Sequence, residues 1–373
     1  MAKYIVSSSP HITSNTTTQK IMLDVIIALI PATIAAFLIY GLYPIFIMIL
    51  SVGCAVTAEW LFNLITKRPQ SVKDLSAIVT GMILALNLPP VVPFYVPMVG
   101  SFFAIIIVKM LFGGIGRNFA NPALTARIFL VLCWAGVMTK FVYPIDLSNG
   151  MNLFSYFENV VNINLPVEIT SATPLAGVKE AIEKMAKGEI VNPAAGLNAL
   201  DMFLGRIGGS AGEVSTLAIL IGALYLLIKR VIDWKIPVLY IGSVVVFTAI
   251  FFANSPYVGE YVWTYLLGGG LMFGAFFMAT DYATSPKAPL AVCIYGVGLG
   301  LLTVIFRKFG SMNEGVSFAI LLMNVVTPLL EKLVPCTFGA KSKWETNGKK
   351  IAEWFKKVFS KKQKSEEKEA QNG

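Results

Sequence analysis

The apolar positions of this chain fall into long uninterrupted runs rather than into the alternating pattern of soluble strands. About 20 consecutive apolar residues suffice to cross the ~30 Å hydrocarbon core of a bilayer as a helix. The pattern therefore predicts about ten membrane spans. They fall at 21–40, 43–64, 75–89, 92–112 and 122–139, and then at 214–229, 236–253, 262–280, 288–306 and 315–333.

A hydrophilic insert separates the two groups of spans and is too long for an ordinary connection. Within it, the stretch LAGVKEAIEKMAKGEI predicts an amphipathic helix. We therefore expect an all-α polytopic membrane protein. Its parts are an N-terminal transmembrane half, the insert, a C-terminal transmembrane half and a basic tail, at 1–139, 140–212, 213–335 and 336–373.

Composition agrees with this class and excludes several chemistries. The chain is 56% hydrophobic and 14% charged, and it holds one histidine, His11, and four scattered cysteines without a CxxC pair. A cysteine-ligated iron–sulfur cluster, a bis-histidine haem or a histidine-rich zinc site cannot be built from such a set. We expect no metal site and no nucleic-acid partner. The first apolar run begins too late and is too long for a signal peptide, so we expect it to remain as a span.

Lysine and arginine in the connections predict the orientation. If an odd number of spans precedes the insert, most of these residues fall on one side, which is then cytoplasmic. The insert then faces outward, and both termini face the cytoplasm. Arg307 and Lys308 are the exception on the outer side.

The tail KKIAEWFKKVFSKK places apolar residues on one helical face and lysines on the other. This pattern predicts an interfacial helix bound to anionic lipid of the inner leaflet. A solvated basic tail with little helix is the alternative.

Two spans are interrupted in a similar way. The span at 75–89 is short and ends at Pro89-Pro90, and the span at 262–280 is rich in glycine and is followed by Pro286. Matching residues recur in both halves at nearly equal separations: Gly81 and Gly274, Pro90 and Pro286, Phe112-Gly113 and Phe309-Gly310. This favours two inverted repeats of about five helices, with a binding site between them.

The segment GGIGRNFANP offers a candidate binding site. Gly113 and Gly114 allow the backbone to approach a ligand, and Asn118 and Asn121 lie one helical turn apart. A carboxamide can hydrogen-bond to the polar edge of a heterocycle because it has both a donor and an acceptor. A tight turn before Pro122 would use the same residues, so both interpretations stay open.

Four carboxylates lie in or beside apolar spans, where ionisable groups are costly and usually functional. For Asp24 and Glu213 we prefer a helix-terminal or interfacial position. For Glu59 and Asp281 we prefer a role in an ion or proton path, and Asp24 remains a further candidate for it.

The insert contains the hydroxyl-rich stretch EITSATPLAGV. Thr173 has no neighbouring histidine to activate it, so it is a poor nucleophile on its own. Small residues around an exposed hydroxyl also suit covalent modification by another enzyme. An ordinary serine/threonine turn is the alternative, and composition alone would favour that turn.

Several motifs occur together in a recognisable order: SATPL, DLSAIVTGMILALNLPP, FGGIGRNFANPA, GEVSTLAILIGALYLL and MATDYATSP. In this respect the chain resembles the family that contains the D subunit of the bacterial Rnf complex and the B subunit of the sodium-translocating NADH:quinone reductase. The resemblance extends over about residues 5–335.

The resemblance implies two flavins. A family threonine that closes a Ser/Thr–Gly/Ser–Ala–Thr motif carries FMN through a phosphodiester bond, installed by a separate flavin transferase with FAD as donor. Thr170, Ser171, Ala172 and Thr173 match this motif, which makes Thr173 the implied attachment residue. The family often has an aspartate where this chain has Val167, and Glu168 follows it. A second, non-covalent riboflavin is implied at the amides that match Asn118 and Asn121.

The implied function is that of an electron-transfer subunit in a bacterial inner-membrane complex. That complex couples electron flow between ferredoxin and NAD to translocation of Na⁺ or H⁺. Partner subunits of the A, B, C, E and G types would hold the remaining redox sites, and this chain would have no catalytic residue of its own. A secondary transporter or channel without a redox cofactor is the rival interpretation. A membrane hydrolase or transferase is a weaker one.

Overall fold

The fold was obtained as a computed structural model, which describes residues 16–144, 170–171, 173–187, 192–194, 197–310 and 315–333. The predicted tail helix, His11, Cys336, Val167, Glu168 and Ala172 lie outside these residues. The described chain is helical, as the hydropathy pattern predicts.

The helices before the insert are α1 to α6, with bounds Thr18–Tyr40, Tyr43–Ile65, Ser76–Leu86, Tyr95–Phe102, Pro122–Cys133 and Ala135–Met138. The helices after β2 are α7 to α14, with bounds Pro174–Ala186, Ala199–Leu204, Thr216–Ile228, Lys235–Phe251, Val258–Leu267, Leu271–Phe273, Pro289–Phe309 and Val316–Leu333. Strands β1 (Phe141–Val142) and β2 (Thr170–Ser171) pair antiparallel, with Phe141 opposite Ser171. A 3₁₀ turn at Val72–Asp74 precedes α3.

Three described helices are long and apolar enough to cross a bilayer: α1, α2 and α13. A fourth candidate is the pair formed by α11 and the following Leu271–Met278 segment, which is bent by 56°. Helices α3, α5, α9 and α10 and the Tyr95–Met110 segment are apolar but shorter. The membrane class is therefore confirmed, and the layout of about ten spans stays a prediction.

Two helices leave regular α geometry. Helix α4 continues as a π-helical segment at Phe103–Met110, and α12 continues as one at Gly274–Met278. The predicted span at 262–280 is a broken helix, because Gly269 and Gly270 adopt φ of +63° and +67° between α11 and α12. Such a left-handed backbone costs little only for glycine.

The helices form an N-terminal group (α1–α5) and a C-terminal group (α9–α14). Within the groups, α2 packs on α3 and α4, and α10 packs on α11 and α13. The groups meet where α1 packs on α9 and α5 packs on α14. At the first of these contacts, a side chain on Gly222 would collide with the carbonyl oxygen of Ala28. The two helix backbones therefore touch.

A buried cation lies near the end of the Tyr95–Met110 segment, and another lies near the end of α13. Lys109 Nζ donates to Ser76 Oγ at the start of α3, 2.8 Å away. Arg307 donates to the carbonyls of Tyr265, Gly268 and Gly269 at the break before α12, at 2.5, 3.0 and 3.1 Å. Arg307 is only 3% exposed, so this exception to the positive-inside pattern is a structural residue rather than a loop charge.

Candidate functional site

A cavity opens between the two helix groups, lined by α1, α3, α9 and the segments around Asn118 and Asp281. Its inner part has a volume of ≈ 100 Å³, and an adjoining part has a volume of ≈ 490 Å³. Ile21, Met22, Asn118 and Asp281 line both parts. We call the two parts together the Asn118 cavity. Apolar and aromatic walls with a few polar groups are typical of small-molecule sites.

The glycine-rich segment forms the rim of this cavity. Gly113, Gly114 and Gly116 have φ of +113°, +93° and +80°, which turns the chain sharply before α5. Gly116 lines the cavity, whereas Gly113 and Gly114 shape the turn that leads to it. The glycines are thus needed for the turn whether or not a ligand binds.

The two asparagines have different local roles. Asn121 Oδ1 caps α5 by accepting hydrogen bonds from the backbone N–H groups of Ala123 and Leu124, at 3.1 and 3.4 Å. Asn118 Oδ1 is buried and has no hydrogen-bond partner within the described chain. Such an atom is costly to bury unless a ligand or water supplies the donor. Asn118 therefore fits a hydrogen-bonding ligand better than Asn121 does.

Asp281 follows the π-helical segment and faces the same cavity. Its carboxylate accepts hydrogen bonds from Ala283 N and Thr284 Oγ1, both at 3.4 Å. Burial raises the pKa of this carboxyl, and the two hydrogen bonds oppose the rise. Asp281 is therefore easier to protonate than an exposed aspartate.

Thr173 does not line the Asn118 cavity. It lies beside the break between α11 and α12. It is the residue before α7, is 7% exposed, and makes no capping hydrogen bond with its side chain. A pocket of only ≈ 10 Å³ adjoins it, lined by Ser210, Glu213, Gly269 and Gly270, among others. The partial positive charge at a helix N-terminus suits a phosphate group, so a phosphodiester at Thr173 fits this position.

The backbone of Thr170 and Ser171 pairs with β1 just before Thr173. Ala172, the third residue of the predicted motif, lies outside the described residues. The short β-pairing fixes where the motif enters α7.

A buried ion pair adjoins the Thr173 pocket, and sequence reasoning missed it. Arg127 Nη1 lies 2.8 Å from Glu213 Oε1, and the same guanidinium donates to Asn87 Oδ1 and Ser317 Oγ at 3.2 and 3.0 Å. Glu213 is thus inside a buried polar cluster just before α9, and the preferred helix-terminal or interfacial position stays a prediction. The available signal was Arg127 itself, an arginine within the apolar run of 122–139.

The other carboxylates also have partners. Glu59 is fully buried, 2.6 Å from Lys109 Nζ, and it accepts a hydrogen bond from Ser71 Oγ. Asp24 Oδ1 accepts one from Tyr225 OH at 2.7 Å, which joins α1 to α9. These contacts explain how the charges are tolerated, and an ion-path role for these residues stays a prediction. Within the described ranges, no cluster of three His, Cys, Asp or Glu side chains could hold a metal.

Residues 5–339 match the NQR2, RnfD, RnfE family. The chain belongs to this family. One relative is the D subunit of the Na(+)-translocating ferredoxin:NAD(+) oxidoreductase complex of Acetobacterium woodii. It is 43% identical over 329 residues, which cover 88% of this chain and 92% of the relative.

Two further relatives cover the chain to a similar extent. The D subunit of the proton-translocating ferredoxin:NAD(+) oxidoreductase complex of Clostridium ljungdahlii is 36% identical, with coverage of 91% of this chain and 97% of the relative. The D subunit of the ion-translocating oxidoreductase complex of Actinobacillus succinogenes is 33% identical, with coverage of 88% and 95%. The family resemblance inferred from the ordered motifs is therefore confirmed.

Proposed function

We propose that this chain is the flavin-carrying, electron-transfer subunit of a membrane complex that couples electron flow between ferredoxin and NAD⁺ to ion translocation. The similarity to complete D subunits over most of both chains carries the proposal. The relatives are named for both sodium and proton translocation, so the similarity does not select the ion. Flavins bound to the chain would supply the redox chemistry, and its own residues would bind and orient them.

We assign covalent FMN to Thr173 through a phosphodiester bond. Three observations support this: the Thr170–Thr173 motif, the helix N-terminus that follows it, and a hydroxyl that is not used for capping. Ser171 and Ala172 are the small neighbours that a flavin transferase would need beside the acceptor. That transferase is a partner in maturation only.

We assign the non-covalent riboflavin to the Asn118 cavity. The larger part of this cavity, the aromatic side chains of Phe276 and Phe277 and the unpaired Asn118 Oδ1 support a flat heterocycle with hydrogen-bonding edges. Asn121 contributes by fixing the start of α5, and Gly113 and Gly114 by turning the rim.

The proposed topology has about ten spans in two inverted halves, with the insert outside and both termini in the cytoplasm. The contacts of α1 with α9 and of α5 with α14 join helices at equivalent positions, as a two-fold axis in the membrane requires. The placement of Lys109 and Arg307 near the ends of the Tyr95–Met110 segment and of α13 supports the same repeat. The basic tail would bind anionic lipid of the inner leaflet.

The remaining redox sites belong to partner subunits of the A, B, C, E and G types in this proposal. Asp281, Glu59 and Asp24 are the candidates for the ion path. Asp281 is the strongest of the three because it lines the proposed riboflavin cavity. Proximity to a redox group is what electrostatic coupling between electron and ion movement requires.

The decisive experiment is ultraviolet fluorescence of the denatured protein in a gel, after co-expression with a flavin transferase. Wild type should fluoresce and Thr173→Val should not, because valine has no hydroxyl to esterify. Glu180→Ala, an exposed position in the helix α7 that follows Thr173, serves as the control and should still fluoresce. A wild-type band without fluorescence would contradict the flavin-carrying role and favour a transporter without a redox cofactor.

A further inference from the structure

The side chain that is to be modified is almost enclosed. Thr173 is 7% exposed, and the pocket beside it, at ≈ 10 Å³, is about the size that one water molecule occupies. Its walls come from the segment 207–214 and from the break between α11 and α12. The active site of a transferase is far larger than this space.

The attachment reaction needs open space on two sides of the phosphorus. The Thr173 hydroxyl oxygen forms a bond to the FMN phosphorus of FAD while the P–O bond to AMP breaks. The hydroxyl proton passes to a base of the transferase, and AMP leaves. Because attacking and leaving oxygens lie roughly in line, the transferase must surround the acceptor hydroxyl. It cannot do so while Thr173 is enclosed.

The enclosure depends on the docking of α7. Leu175, Val178 and Ala181 form one buried face of this helix, at 3%, 1% and 2% exposure. That face packs on α11 and α13. Leu175 occupies the space over Gly269 that any side chain there would need, so it holds the start of α7 against the helix break.

The opposite face of α7 carries charged, exposed side chains. Glu180 and Lys184 form an exposed i,i+4 ion pair at 2.7 Å, and Lys187 is exposed at the end of the helix. Surface pairs of this kind contribute little to stability. The packing of the apolar face therefore holds the start of α7 beside Thr173.

We propose that flavin is attached to Thr173 only while α7 is undocked, so that docking of α7 closes the acceptor site to the transferase. This inference rests on the proposed function of Thr173. In a chain made together with the transferase, attachment precedes docking. In a chain that has folded without it, undocking of α7 limits the rate of attachment.

The test is a time course of covalent flavin incorporation into the full chain. Protein made without transferase is purified in detergent and mixed with transferase, FAD and Mg²⁺, and covalent fluorescence is read after denaturation. Leu175→Ala should incorporate flavin roughly tenfold faster than wild type or more, because truncating a buried leucine weakens its packing. Glu180→Ala, on the solvated face, should match wild type.

Two further variants separate undocking from general loss of stability. Leu29→Ala truncates a fully buried side chain in α1, which is not one of the two helices on which α7 packs, and should leave the rate unchanged. Met202→Ala truncates a fully buried side chain that, like Leu175, borders Gly268, and it should accelerate incorporation even if Leu175→Ala fails to yield monodisperse protein.

The outcomes differ between this inference and the function on which it rests. Equal rates for wild type, Leu175→Ala and Met202→Ala would overturn the inference and make Thr173 accessible in the docked state. Wild type that stays dark even when made together with the transferase would instead remove the proposed attachment at Thr173.

Discussion

Arg127 and Glu213 form a buried ion pair, with Nη1 and Oε1 2.8 Å apart and both side chains almost fully enclosed. The pair joins α5 to the segment that precedes α9, and so joins the two helix groups beside Thr173. Two charges at this depth are tolerated because each neutralises the other and further hydrogen bonds satisfy the guanidinium.

Arg127→Met should destabilise the protein by ~3–5 kcal/mol, because it leaves the Glu213 carboxylate buried without its counter-charge. The double variant Arg127→Met/Glu213→Leu should recover most of the loss. Thermal unfolding in detergent, followed by size-exclusion chromatography, measures both. A double variant no more stable than the single one would show that the pair does more than neutralise charge.

Arg307→Lys should lower the unfolding temperature even though it keeps the positive charge. The guanidinium donates to three carbonyls at the helix break, and a lysine ammonium cannot reproduce this planar arrangement. The neighbouring Lys308→Gln is the control and should have a smaller effect, since Lys308 bonds one carbonyl, that of Phe251. Similar losses in the two variants would contradict the role given to Arg307.

Asn118→Leu should reduce the non-covalent flavin released on denaturation and leave covalent fluorescence unchanged. Asn121→Asp should retain stability, because aspartate is also a good helix cap, whereas Asn121→Ala should lose ~1 kcal/mol. Extracted flavin is measured by chromatography and stability by thermal unfolding. If Asn118→Leu keeps its full complement of extractable flavin, the cavity assignment is wrong.

Asp281 should make stability depend on pH. Its pKa is raised by burial in the folded protein, so the folded state binds the proton more tightly than the unfolded state. The stabilising contribution is therefore full below the ordinary aspartate pKa of ~4 and is lost as pH rises through the raised value. Asp281→Asn should remove this slope and be the more stable variant at neutral pH.

The control for that measurement is Asp233→Asn, which removes a half-exposed carboxylate. Melting curves of the three proteins at several pH values above ~4 test the expectation. A slope that persists in Asp281→Asn would assign the pH dependence to another group.

Topology can be tested with single cysteines in a cysteine-free background. Lys187→Cys, in the insert, should react with a membrane-impermeant maleimide added to intact cells. Lys229→Cys, at the end of α9, should react only after the membrane is opened. Both positions are exposed in the fold, so lack of reaction reports the side of the membrane. The reverse pattern would invert the proposed orientation.

Sequence reasoning succeeded where a residue's own chemistry decides its environment. Long apolar runs predict helices, and the amphipathic stretch after Thr173 is indeed helix α7. The interrupted segments that carry Asn118 and Asp281 line one cavity, although they are far apart in the chain. Their glycines and polar side chains were the signal that marked both segments.

The sequence did not predict the environment of residues whose partners come from distant segments. The ion pair of Glu213 could not be predicted, because its partner Arg127 lies 86 residues away in the chain. Lys109 donates to Ser76 at the start of α3, and Arg307 donates to Gly268 at the break before α12, in both cases to residues far away in the chain. The burial of Thr173 could not be predicted either, because two distant segments, 207–214 and 267–270, enclose it.

The backbone contact between Gly222 and Ala28 has a mechanical consequence. The two helices touch here without side chains between them that could change rotamer and absorb a displacement. Sliding one helix along the other would therefore bring main-chain atoms into collision. Rotation about the contact costs less, because it changes the angle between the helices and preserves their spacing. If the two helix groups rock during turnover, the crossing of α1 and α9 is the fulcrum.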